Sequence, residues 1–144
     1  MTDKQSKPRP VRPTRPETEA RMREVATWLH DKQARNIVAL DVAGLCDIAE
    51  GVVLATAGSV RHAQALADHV LDMCGREKGV YLGMEGYQAG SWILLDLNDV
   101  LVHVFQDGSR SFYNLEGLWA EAREVELALP GAADDLDGLA DLDA

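Results

Sequence analysis

The sequence predicts a mixed α/β domain, a mixed sheet with flanking helices, and three observations carry that expectation. Apolar residues recur at helical spacing in two segments, at Met22, Val25, Ala26 and Leu29 and again between Ala63 and Cys74. Short runs rich in valine, isoleucine and leucine, bounded by turn residues, lie between and after them. The chain has 144 residues, of which 47% are apolar and 26% charged, enough for one domain with a sizeable core.

The first helix is expected over 17–33, with Glu17 and Glu19 in the first turn, where the helix dipole favours anions. Residues 37–42 read as a mostly buried strand and 51–56 as a second. Ser59 is placed to cap a second helix, whose stripe is Ala63, Leu66, Ala67, Val70, Met73 and Cys74, with Gly75 and Gly79 bracketing its end. Residues 80–85 give a third strand. Phe112, Tyr113, Leu115, Leu118 and Trp119 lead into an expected C-terminal helix over 120–128. The element order is then α-β-β-α-β-β-β-α.

Two strands between these, 92–97 and 100–105, flank Asn98-Asp99, which reads as a two-residue hairpin turn. Asn98 supplies the positive φ that such a turn demands, and Asn suits a type I′ turn better than a II′. A turn this tight pairs Leu97 with Val100, Leu95 with Val102 and Ile93 with Val104, so one face is wholly aliphatic and belongs to the core. The opposite face carries Trp92 and Phe105, Leu94 and His103, Asp96 and Leu101. That face is too apolar for bare solvent and too polar for a core. Either a helix covers it, with His103 and Asp96 at the wet rim, or it is a protein-binding surface that joins aromatic side chains to a polar border.

Charge divides the chain into three. Residues 1–16 hold four of the five prolines and a net +4, and read as a disordered basic arm. Residues 17–129 form the folded body at −9, and 130–144 an acidic, disordered tail at −5. A net charge of −10 argues against general nucleic-acid binding and DNA as a partner, because such affinity needs clustered cations. It suits a basic protein partner. No apolar run approaches the ~20 residues of a membrane span, and no secretory leader is evident, so a cytoplasmic protein without membrane contact is expected.

Motifs for catalysis are missing. His62 and His69 are seven residues apart, about 10.5 Å along a helix, too far to share a metal directly. Cys46 and Cys74 belong to no C-x-x-C pair and read as buried thiols. The Gly58-Ser59 turn stands between a strand and a helix, where free N–H groups can take an anion, or Ser59 is a plain cap. The D-x-D pair that nucleotidyl transfer needs to hold two metals does not follow it. No cofactor, metal or small-molecule substrate is expected.

The series Gly83-Met84-Glu85-Gly86, then Trp92 to Phe105 with Asp96, Asp99 and His103, then Tyr113-Asn114-Leu115-Glu116-Gly117-Leu118-Trp119, closely resembles the ribosomal silencing factor S family, also called the iojap family. Upstream stretches 37–42 and 59–70 agree, so the resemblance covers residues 20–122. It implies a nucleotidyltransferase-like fold without catalysis, and so no enzyme. It also implies binding to the large ribosomal subunit through its fourteenth protein, which blocks joining of the small subunit and represses translation when nutrients are scarce. Homodimers off the ribosome belong to the same implication. The contact region maps onto Glu85, Gly86, Trp92, Leu94, Asp96, Asp99 and His103. The chain departs from the family pattern at Glu50-Gly51, at Ala55-Thr56-Ala57-Gly58-Ser59 and at the Asn98-Asp99 turn.

Overall fold

The computed structural model describes residues 15–129. The expected arm and tail lie outside these residues, except that Arg15 and Pro16 open the first helix. Helix α1 (Pro16–Asp31) carries Pro16 in its first turn, where a missing N–H costs nothing, and buries Met22, Val25, Ala26, Trp28 and Leu29. Strands β1 (Arg35–Asp41) and β2 (Gly51–Ala57) follow, then α2 (Val60–Arg76), capped by Ser59 Oγ accepting from the His62 N–H at 3.0 Å. Strands β3 (Gly83–Glu85), β4 (Trp92–Asp96) and β5 (Val100–Gln106) come next.

The chain ends differently from the expectation. In place of a helix over 120–128 there are two short helices, α3 (Asp107–Tyr113) and α4 (Leu115–Leu118), followed by strand β6 (Arg123–Val125). Strand β6 adds to the outer edge of β1. Val125 is buried and Leu127 packs on the core, while the alternate residues Glu124 and Glu126 are exposed. That period of two is a strand's, and pairing with β1 prevails over the helix propensity of the alanines and glutamates. Arg123 ties β6 down by bonding Asp41 at 3.1 Å and Glu19.

The six strands form one mixed sheet in the order β3-β4-β5-β2-β1-β6. Only β2 and β5 pair in parallel, and the other four pairs are antiparallel. The β4–β5 register is the expected one, Ile93 opposite Val104 and Leu95 opposite Val102. The Leu97 N–H closes the turn onto the Val100 carbonyl at 2.9 Å. Asn98 has φ of 80° and Asp99 is not in the left-handed region, so the turn is not type I′, and the Asp99 N–H donates to the Leu97 carbonyl at 3.2 Å.

Both long helices lie on one face. Their apolar stripes meet Ala39, Val53, Ala55, Ile93, Leu95, Val102 and Val104 in the main core. At the α1–β2 contact a Cβ on Gly51 would stand 2.4 Å from the Met22 sulfur, so this glycine lets the helix sit close on the strand. The other face holds a smaller cluster, Leu40, Val52, Leu54, Leu101 and Phe105. Among the described residues, what packs on it from outside the sheet is the 42–49 loop and the segment after β5, through Leu115, Trp119 and Ala122. Among the described residues no helix is long and apolar enough to cross a membrane.

Candidate functional site

The thinly covered face runs out toward the β3 edge, and there the sequence-predicted residues collect. Trp92, Leu94 and Asp96 alternate along β4 on this face, each half-buried. Opposite them on β5 stand Phe105, His103 and Leu101, all buried. Glu85 of β3 pairs with Leu94 and is exposed.

Trp92 is fixed on three sides. Its indole N–H donates to His103 Nδ1 at 2.9 Å, its ring stacks on Phe105 at 5.2 Å between centroids, and Tyr113 of α3 leans on it at 4.5 Å. Accepting that bond makes His103 Nδ1 unprotonated, so a neutral ring carries its proton on Nε2. His103 is only 6% exposed, and burial pushes its imidazole down to about 4. His103 is therefore not at a wet rim. It lies under the face and orients the tryptophan, as a hydrogen-bonded polar group in a dry place must find a partner.

Gly86 follows Glu85 at φ of 82°, and a Cβ there would meet the Trp92 carbonyl oxygen at 2.1 Å. Only glycine permits this close turn. The loop it starts is strapped to α2, because Tyr87 Oη donates to Asp68 at 3.0 Å and the Gln64 amide donates to the Tyr87 carbonyl at 2.9 Å. The β3–β4 connection that presents Trp92 is thus held at both ends.

Asp96 accepts from the Asn98 N–H at 2.9 Å, capping the hairpin turn. Asp99 stands apart from the group around Trp92. Its carboxylate accepts from Thr18 Oγ1 at 3.1 Å and lies 3.8 Å from Arg21 Nε, both on α1. Glu50 accepts from the same hydroxyl at 2.9 Å and from Arg15 Nε at 3.2 Å. Burial raises the Glu50 carboxyl, but the hydrogen bonds from Thr18 and Arg15 outweigh it and hold it below the usual range. Asp99 therefore pins the hairpin turn to the start of α1.

The Gly58-Ser59 turn resolves to a helix cap. Its Gly58 N–H donates to His62 Nδ1 at 2.9 Å, and the other ring nitrogen of His62 meets the Lys32 carbonyl at 2.8 Å. Cys74 is buried and Cys46 half-buried, both as free thiols. Among the described residues no group of histidine, cysteine and carboxylate side chains is arranged to hold a metal ion.

The sequence profile described as "RsfS: Ribosomal silencing factor during starvation" matches residues 15–140. The chain belongs to the ribosomal silencing factor family. It is 42% identical over 98 residues to the ribosomal silencing factor RsfS of Halalkalibacterium halodurans, covering 67% of this chain and 83% of that one. With the RsfS of Zymomonas mobilis it shares 35% identity over 123 residues, 83% of this chain and 92% of the relative. A crystal structure from Bacillus halodurans superposes with a TM-score of 0.66 at 32% identity, over 75% of this chain and 99% of that one.

In this member of the ribosomal silencing factor family, sequence reasoning missed Tyr113 as part of the site and undervalued Phe105. Phe105 is the fully buried floor on which Trp92 and Tyr113 both stack. The period-two pattern of β5 already placed it beside Trp92. Tyr113 reads from sequence as part of the segment leading into a C-terminal helix, and nothing in its spacing announces that α3 brings it against Phe105 of β5. Phe112, edge-on to Tyr113 at 5.1 Å, is 80% exposed, and Leu118 of α4 is 67% exposed.

Proposed function

We propose that the chain binds the large ribosomal subunit through its fourteenth protein and, seated there, sterically keeps the small subunit from joining. No reaction occurs in this reading; the effect scales with occupancy of the site, and translation falls when nutrients are limiting. It acts in the cytoplasm, where subunits meet. The observation that carries the reading is Trp92, a tryptophan bonded to His103, stacked on Phe105 and touched by Tyr113, at the open edge of a thinly covered sheet face. A rigid aromatic with one free side is the usual centre of a protein interface.

Leu94 and Gly86 flank Trp92 in this arrangement, Glu85 and Asp96 supply acidic groups at its border, and His103 acts from beneath. Asp99 contributes by holding the turn rather than by touching the partner. The body's charge of −9 favours a basic protein over ribosomal RNA, whose phosphates repel it. Cosedimentation with purified large subunits tests the reading: the wild type should pellet with them at micromolar concentration or below. A wild type that stays in the supernatant at saturating subunit concentration contradicts it.

A further inference from the structure

We propose that the Arg110–Glu116 ion pair is a positioning element of the docking face, holding Tyr113 over Trp92 and acting on partner binding only through Tyr113. This rests on the docking role proposed for Trp92. Arg110 lies one helical turn before Tyr113 on α3 and is buried, at 9% exposure. Its Nη1 donates to Thr56 Oγ1 at 2.8 Å and to the Asn36 carbonyl at 2.5 Å, which ties α3 to β2 and β1. Its Nε and Nη2 reach the two carboxylate oxygens of Glu116 at 3.1 and 3.0 Å, the forked geometry that fixes direction as well as distance.

Glu116 belongs to α4, so the pair spans the corner between the two short helices. Asn114 turns that corner at φ of 49°, and its Oδ1 accepts from the Gly117 N–H at 3.2 Å. Tyr113 therefore stands between two fixed points. Ring contacts share this holding, since Tyr113 lies against Trp92, Phe105 and Phe112. A cleft of about 560 Å³ opens between β1 and the corner, lined by Arg110 and Glu116 with Asn36, Val38, Ser111 and Asn114. Tyr113 is 48% exposed, so its ring neighbours enclose it only in part. Arg110 is buried and Glu116 exposed, at 10% and 43% of side-chain surface, so the pair adds little net stability, but its forked geometry selects one orientation. The Arg110 hydrogen bonds hold the Glu116 carboxyl below the usual range, so the pair stays charged at neutral pH.

The experiment measures affinity for large subunits, and unfolding temperature, for wild type, Glu116→Gln, Arg110→Lys, Tyr113→Ala and the Glu116→Gln/Tyr113→Ala double variant. Glu116→Gln and Arg110→Lys should each weaken binding about tenfold, and the double variant should bind no more weakly than Tyr113→Ala alone. A merely structural pair gives another pattern: unfolding temperatures fall while the affinity of the folded protein is unchanged, and that overturns the proposal. Losses that multiply in the double variant also overturn it, because Arg110 and Glu116 would then act independently of Tyr113. If the wild type itself fails to bind, the docking reading falls, a result distinct from a wild type that binds and a Glu116→Gln variant that binds equally well.

Discussion

The two faces of the sheet are built from the same strands and do different things. On the closed face, α1 and α2 cover Ile93, Leu95, Val102 and Val104 completely, and the contacts there are apolar. On the open face, among the described residues, a loop and two short helices pack against the alternate residues of the same strands, Trp92, Leu94, His103 and Phe105. Directional bonds take over where packing is thin: Trp92 to His103, Asp96 to the turn, Arg110 to Glu116. In the proposed function this difference would separate stability from recognition, one residue apart along β4.

Truncations one position apart sharpen that comparison most. Leu95→Ala should cost about 3 kcal/mol of unfolding free energy in a denaturant titration, the usual loss for a fully buried leucine. Leu94→Ala should cost about 1 kcal/mol or less while weakening subunit binding. Equal stability losses at the two positions would erase the distinction between the faces.

Acid probes the open face through His103. Its folded pKa, about 4, lies below the unfolded value of roughly 6.5, so between these the unfolded chain binds more protons and stability falls as pH falls. The loss should begin near pH 6.5, reach about 3 kcal/mol near pH 4, and be absent from a His103→Phe variant. Protonating Nδ1 also removes the acceptor for the Trp92 indole, so indole fluorescence should change in the same range. A His103→Phe variant with the wild-type pH profile would show that the imidazole is not the group responsible.

Gly86→Ala should cost about 2 kcal/mol, because its backbone is left-handed and the new Cβ would strike the Trp92 carbonyl. Equilibrium unfolding measures this, and a neutral result would mean the β3–β4 turn is looser than its hydrogen bonds imply. The smallest effect belongs to the border charges. Asp96→Asn should slow association with large subunits by about threefold at low salt, and the difference should vanish at high salt.

Much of this molecule is legible in the sequence because alternation is legible. The β4–β5 register follows from Ile93, Leu95, Val102 and Val104 together with a turn of only two residues. That register alone put Trp92, Leu94, Asp96 and His103 on one face. The depth of a side chain within a face is less legible, since it depends on what folds over it. His103 reads as a rim residue until α3 closes the face and Trp92 takes its Nδ1. Residues 107–113 open with Asp107-Gly108-Ser109, all of modest or poor helix propensity, yet they form α3 and deliver Tyr113. Residues 123–127 carry a strand's alternation, but helix-favouring alanines and glutamates obscure it, and only the free edge of β1 decides the outcome.

The central claim is that Trp92 on the open face occupies a site the small subunit needs. The direct measurement is light scattering during the joining of purified subunits, with wild type or Trp92→Ala added at equal concentration and both shown to be folded. Removing a buried interface tryptophan typically costs about 2 kcal/mol or more, roughly a 30-fold loss of affinity. The wild type should suppress joining in proportion to its occupancy of large subunits, and Trp92→Ala should need at least about 30 times the concentration for the same effect. Equal suppression by the two proteins, or none by the wild type at saturation, would contradict the account.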